Sequence, residues 1–156
     1  MPTRLFKEIG KKTPFESVAH EVLLNCMRTA DRMTRAVANV LKPADLTPTQ
    51  YNVLRILRGE GKALSCNEIL TRMITRDADL TRLVDRLIQR ELVQRQRNEG
   101  DRRVVLISIT EQGIDLLDRL DDPINAVHQF LLGHIPEEKL STLSELLEQA
   151  RERTPE

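Results

Sequence analysis

DLTRLVDRLIQRELVQR, residues 79–95, is followed after three intervening residues by EGDRRVVLISITEQG, residues 99–113. In the first stretch Leu80, Leu83, Val84, Leu87 and Ile88 recur at helical spacing and form one apolar face. Thr81, Arg82, Asp85, Arg86, Gln89 and Arg90 share the opposite face, so three arginines follow one another at intervals of four. Asp77 stands where a helix cap is wanted. The period then changes. Val93-Gln94-Arg95-Gln96-Arg97 alternates, Asn98-Glu99-Gly100-Asp101 has turn chemistry, and Arg102 to Ile109 is apolar and β-branched, which predicts a returning strand.

Two further helices precede this unit, each opened by a capping box in which a hydroxyl and a Gln or Glu three residues later satisfy each other's backbone donors. Thr47-Pro48-Thr49-Gln50 opens the first, which carries Tyr51, Val53, Leu54, Ile56 and Leu57 as far as Gly59, with Gly61 completing a turn. Ser65-Cys66-Asn67-Glu68 opens the second, predicted from Cys66 to about Met73, and Leu64 with Ile69 has the spacing of a hydrophobic staple. Three short helices followed by a hairpin is the order of a winged helix-turn-helix, in which an amphipathic third helix fits the major groove of DNA and the hairpin forms the wing.

Upstream, apolar residues from Phe15 to Leu41 fall at steps of three and four, predicting one long helix that ends at Lys42-Pro43. A single small domain cannot bury such a helix, and the simplest cover for its leftover face is a second copy of the chain. Downstream, Thr110 can cap a helix containing Ile114, Leu116, Leu117 and Leu120, which Pro123 is expected to kink or divide. Ile124, Val127, Phe130 and Leu131 resume the stripe to Gly133. A last helix starts near Pro136 and carries Leu140, Leu143, Leu146, Leu147 and Ala150.

Composition agrees with this mainly α architecture. The chain has 156 residues, 40% of them apolar but only 3% aromatic, enough for one core built from aliphatic side chains. The formal net charge of zero conceals a division: residues 1–103 hold 20 Lys and Arg against 13 Asp and Glu, while residues 104–156 hold 4 against 11. Charge segregated in this way can set a basic face against a polyanion despite a neutral total. No stretch approaches the roughly 18 apolar residues of a membrane span, and the N-terminus lacks the apolar run of a secretory signal, so a cytoplasmic location without membrane contact is expected. Cys26 and Cys66 have neither disulfide-framework nor metal spacing, and His20, His128 and His134 have no ligand spacing. No cofactor, metal or catalytic site is indicated, and an enzymatic reading finds no nucleophile with a base and no phosphate-binding glycine loop.

Residues 79–95 and 99–113, with LTPTQYNVLRIL (46–57) ahead of them, resemble the MarR family of bacterial transcriptional regulators. The resemblance spans about Phe15 to Arg153 and is strongest between Leu46 and Gly113. It implies a single MarR-like domain over residues 1–156, with dimerisation helices at 15–42 and 111–153 and a winged-helix DNA-binding part at 46–110. It further implies a homodimer reading a pseudo-palindromic operator in double-stranded DNA, acting as a repressor that a small aromatic or phenolic ligand releases. Carried over by position, Thr81 and Arg82 face base edges and Arg86 a base or phosphate. Arg103 enters the minor groove with its guanidinium held by Asp101, Arg97 and Arg102 lie near phosphates, and Ser65 and Asn67 bind phosphate at the start of their helix.

Asp79 and Asp85 are close enough to pair with Arg82, Arg86 and Arg90, which would make that face an ordinary solvated stripe, and Arg90 lies too near the helix end to join the DNA set. Asp77 and Asp79 place negative charge at the helix entrance, favourable to the helix dipole and unfavourable to phosphate. Glu91 stands where many relatives have a helix-ending glycine. Met27, Met33 and Tyr51 read as core rather than effector pocket. The peroxide-sensing cysteine of some members aligns near Leu23 rather than Cys26. The competing reading is a winged-helix dimer that binds a protein partner instead of specific DNA.

Overall fold

The computed structural model describes residues 3–76 and 79–153. Its elements in order are α1 (Arg4–Glu8), α2 (Val18–Leu41), a 3-10 turn (Lys42–Ala44), α3 (Pro48–Glu60), β1 (Leu64–Ser65), α4 (Cys66–Arg72), α5 (Leu80–Gln89), β2 (Val93–Arg97), β3 (Val105–Ile109), α6 (Glu111–Leu132) and α7 (Glu137–Arg151). This is a winged helix-turn-helix flanked by long helices, as expected.

Local chemistry accounts for most boundaries. Both capping boxes are closed: Thr47 N–H donates to Gln50 Oε1 at 3.0 Å and Gln50 N–H to Thr47 Oγ1 at 3.1 Å, while Ser65 N–H reaches Glu68 Oε2 at 2.8 Å and Glu68 N–H reaches Ser65 Oγ at 3.3 Å. Gly61 ends α3 in the left-handed region at φ 64°, where glycine carries no Cβ penalty. The staple pair Leu64 and Ile69 is fully buried. Helix α2 starts at Val18, three residues later than the apolar stripe suggests, because Ser17 Oγ accepts the His20 N–H and caps it. Phe15 instead turns its ring onto Phe6 and His20, with centroids 6.0 and 5.9 Å apart.

The cap of α5 is Asp79, whose carboxylate accepts the Arg82 N–H at 3.2 Å; Asp77, the cap read from sequence, lies outside the described residues. The wing is part of a three-stranded antiparallel sheet of order β1-β3-β2 rather than an isolated hairpin. Leu64 pairs with Ile107 and Ser65 with Leu106, which anchors β3 between β1 and β2. The returning strand begins at Val105 rather than Arg102, so residues 98–104 form the wing tip. One core collects Leu41, Leu54, Leu57, Leu87, Ile107 and Leu117, all fully buried, and thereby locks α2, α3, α5, the sheet and α6 together.

Three junctions depend on particular backbone geometry. Glu91 takes up the left-handed conformation, φ 57°, at the end of α5. Its N–H donates to Ile88 C=O at 2.8 Å and the Leu92 N–H to Leu87 C=O at 3.0 Å, the Schellman pattern ordinarily built on glycine. Gly113, in the first turn of α6, is required by contact: a Cβ there would lie 2.3 Å from Leu92 O and 2.7 Å from Ile109 Cγ1. Helix α6 is not divided at Pro123 but runs unbroken for 22 residues. Leu120 and Ile124, buried on either side of the proline, hold the apolar stripe in register where a backbone hydrogen bond is missing.

Helix α1 has no counterpart in the sequence reading. Leu5 is buried, and Glu8 Oε2 receives Arg28 Nε at 2.9 Å and lies 3.5 Å from Arg32 Nη2, both on α2, while Glu8 Oε1 receives Arg4 Nε at 2.8 Å. Along α2, Val18, Val22, Leu23 and Met27 are exposed, as are Phe130 of α6 and Leu143, Leu146 and Leu147 of α7. Met27, at 62% exposure, is therefore not core, whereas Met33 is half-buried and Tyr51 packs on the core. None of the described helices is long and apolar enough to cross a membrane.

Replacing Glu91 with glycine relieves the left-handed strain, partly offset by the greater freedom of an unfolded glycine, and is expected to raise stability by about 0.5–1 kcal/mol in urea unfolding. Gly113→Ala forces Leu92 and Ile109 apart and is expected to cost about 1–3 kcal/mol in the same measurement. The hydrogen bond from Arg4, then that from Arg28 and the nearby charge of Arg32, hold the Glu8 carboxyl below its usual value of 4.5. A carboxylate with a lowered folded pKa stabilises above the unfolded value, and that contribution disappears as pH falls through the folded one. Hydrogen-exchange protection of α1 should accordingly be present at neutral pH and vanish below the usual carboxylate range, with α3 still protected at that pH.

Candidate nucleic-acid interface

Burial of Leu80, Leu83, Val84 and Leu87 forces the other side of α5 outward, since side chains three and four apart share a face. Thr81, Arg82 and Arg86 lie on that exposed side. The carboxylates that might neutralise the arginines are engaged elsewhere. Asp85 forms an ion pair with Arg95 of β2, and Asp79 caps the helix backbone. Arg90 donates Nη1 to Asp45 C=O, and Nη2 to Ala44 C=O at 2.9 Å, tying α5 to the corner between α2 and α3. Arg82 and Arg86 are exposed and enter no ion pair among the described residues, while Arg90 is bound to backbone carbonyls.

The wing is held against α5 by the Asp85–Arg95 pair, and its tip is closed by its own polar groups. Asn98 N–H donates to Val104 C=O at 3.1 Å and Val104 N–H to Asp101 C=O at 3.0 Å. Gly100 N–H donates to Asn98 Oδ1 at 2.9 Å. Asp101 engages Arg103 as the sequence suggests, but through the backbone and not the guanidinium: its Oδ1 accepts the backbone N–H of Arg103 at 3.0 Å, a turn contact that a neighbouring carboxylate makes at little entropic cost. The guanidinium of Arg103 is left projecting into solvent, like those of Arg97 and Arg102.

The start of α4 also departs from expectation. Both the N–H and Oγ of Ser65 are used in the capping box, and the Glu68 carboxyl, kept below its usual range chiefly by the Ser65 backbone N–H, sits over the helix end. A phosphate bound through the Ser65 backbone would have to displace that carboxylate. Asn67 is exposed and free to reach outward. Arg76, exposed on the turn into α5 and in no ion pair among the described residues, is a cation the sequence reading passes over, because it lies on a turn and not on a periodic face. Ile74 N–H, donated to Asn52 Oδ1 at 2.9 Å, moors that turn to α3.

The distribution of paired and unpaired arginines is the main electrostatic feature. Away from α5 and the wing, Arg28 and Arg32 share Glu8, Arg35 meets Asp31, Arg55 and Arg58 meet Asp121, and Arg72 meets Glu60. Among the described residues Arg82, Arg86, Arg97, Arg102 and Arg103 enter no ion pair, and they carry the positive charge of the recognition helix and wing. Beside α5 a crevice of about 580 Å³ separates it from the α2–α3 corner, lined in part by Ala38, Lys42, Pro48, Arg86 and Arg90.

Known proteins share both the sequence pattern and this architecture. The pattern of the MarR family matches residues 46–105. The multiple antibiotic resistance protein MarR of Salmonella typhimurium is 31% identical over 115 residues, covering 72% of this chain and 78% of that protein. PecS, a helix-turn-helix regulator of Dickeya dadantii, is 30% identical over 115 residues, covering 72% and 69%. The MarR transcription factor of Planctomyces limnophilus aligns with a TM-score of 0.67 at 36% identity, over 87% of this chain and 99% of that one. A cysteine-to-serine mutant of E. coli MarR complexed with operator DNA aligns with a TM-score of 0.75 at 25% identity, over 96% and 99%. With its winged helix, its outward arginines and these relatives, the chain belongs to the MarR family and is a DNA-binding transcriptional regulator rather than an enzyme.

Proposed function

We propose that two copies of this chain form a homodimer that reads a pseudo-palindromic operator and represses transcription until a small aromatic or phenolic ligand releases it. The observation that carries the reading is the set of unpaired arginines on α5 and the wing, beside Asp79 and Asp85 carboxylates already committed to other partners. Arg82 and Thr81 lie at the start of α5, where a helix entering the major groove meets base edges, and Arg86 one turn later serves a base or phosphate. Arg103 suits the minor groove, with Asp101 shaping the turn that presents it; Arg97, Arg102 and Asn67 suit phosphates.

Dimerisation is supported by the apolar surface left open on α2, α6 and α7. Phe130 is 83% and Val18 78% exposed, and large apolar side chains left open in this way suit a surface that a partner covers. On this reading residues 15–42 and 111–153 join the copies, and residues 46–110 bind DNA. Ligand release has a physical basis in the crevice beside α5: Arg86 lies on its wall as well as on the DNA-facing side. An anionic aromatic occupant pairing with Arg86 would withdraw that cation from the duplex.

Binding to an operator fragment, followed by fluorescence anisotropy across a salt series, should weaken steeply as salt rises, because each phosphate contact releases counterions. Arg103→Ala should weaken binding and reduce the slope of log affinity against log salt by about 1. Arg90→Ala should lower stability through loss of its two carbonyl bonds while leaving the slope unchanged. A flat salt response contradicts the proposal.

A further inference from the structure

Helix α6 starts directly after the wing, at the Thr110 cap, and ends beside the exposed Phe130. It is therefore, with α2, one of two elements through which a winged-helix part and a dimer seam would be related in space. Packing between α3 and α6 buries Leu54, Leu57, Leu117 and Leu120. Aliphatic contacts of this kind fix a separation but permit small rotations and slides. At the edge of this contact the two helices are joined by a charged cluster. Arg58 donates Nη2 to Asp121 Oδ1 at 2.7 Å, Nη1 to Asp121 Oδ2 at 3.0 Å and Nη1 to Asp118 Oδ1 at 2.8 Å. Arg55 Nη1 adds a bond to Asp121 Oδ1 at 3.1 Å.

A planar fork laid on a carboxylate fixes direction as well as distance. The cluster is partly solvated, with Asp121 36% and Asp118 62% exposed, where ion pairs contribute little to stability. Its geometric contribution is accordingly the larger one. The rest of the winged-helix part follows α3 as a body, because Asp85–Arg95 joins α5 to the sheet and Arg90 joins α5 to the corner leading into α3.

We propose that Arg58, forked onto Asp121 and braced by Asp118, sets the angle between the winged-helix part and α6 and thereby determines which half-site spacing the protein accepts. The proposal rests on the dimeric reading above. A two-fold axis applies any rotation of α3 on α6 to both copies, so a small error at the cluster appears twice in the separation of the two α5 helices, which must match about one turn of DNA. Arg58 and Asp121 are positioning residues and touch no DNA themselves.

The test uses the full-length protein and duplexes selected by the wild type from a random pool, remade with the half-sites moved one base pair closer or further apart. Affinity is measured by anisotropy, dimer mass by sedimentation and folding by thermal circular dichroism. The wild type should lose about tenfold or more in affinity at either shifted spacing. Arg58→Met and Asp121→Asn should flatten that profile to about threefold or less, with dimer mass and affinity for unselected DNA unchanged. Arg58→Lys, which keeps the charge but not the fork, should flatten it as well, and with Asp121→Asn it carries the test if Arg58→Met fails to fold. Retention of the wild-type profile in the folded variants, or an equal loss at every spacing, overturns the proposal while leaving the dimeric regulator intact. A wild type that sediments as a monomer or shows no spacing preference overturns the dimeric reading and the proposal with it.

Discussion

The apolar face of α5 has only the core to go to, and its burial decides where the arginines of the same helix point. Leu80, Leu83, Val84 and Leu87 insert against α3 and the sheet, so Arg82 and Arg86 must stand on the solvent side. Direction alone does not make a DNA-binding surface, since a helix with carboxylates at the right spacing can neutralise its own cations. Here the neutralisation is prevented by tertiary structure. Arg95 of the wing takes Asp85, and the helix backbone takes Asp79, leaving α5 with a net cationic face and joining the wing to it in the same interaction. Recognition helix and wing are thus joined by the core that buries Leu87, Leu92, Val93 and Ile107 and by this ion pair at its edge.

The remainder of the molecule presents that unit. The corner held by Arg90 stops α5 from swinging away from α2, while the Schellman turn at Glu91 and the close approach at Gly113 fold β2 and α6 back onto α5 within a few residues. Acidic residues downstream of the wing are placed against basic residues of α3, where Asp118 and Asp121 meet Arg55 and Arg58. The neutral total charge of the chain is compatible with a polarised surface, because its acidic residues are concentrated after position 104, on α6 and α7, while the arginines of α5 and the wing precede them.

What was legible in the sequence follows from the range of the forces involved. Capping boxes at Thr47 and Ser65, the period of α5 and the turn at Asn98–Asp101 are local, and each was readable from a window of a few residues. Helix α1 and strand β1 were not, since five residues and two residues carry no periodicity of their own. The first is held by Glu8 on arginines twenty or more positions away, the second by pairing with Ile107 and Leu106. Pro123 reads as a kink or a division because its missing N–H is a local property, while the burial of Leu120 and Ile124 that carries an undivided helix through it is not. At the site, residue types, faces and the Ser65 cap were legible, but two partners were not: Asp101 accepts a backbone amide and Asp85 pairs with the wing.

The most direct test of the central claim is a side-chain nitrogen NMR titration of the arginine Nε–H groups with an operator duplex. The account predicts that resonances of Arg82, Arg86, Arg97, Arg102 and Arg103 shift on binding while those of Arg58, Arg90 and Arg95 stay in place. Shifts confined to the latter group, or spread evenly over all the arginines, would contradict it.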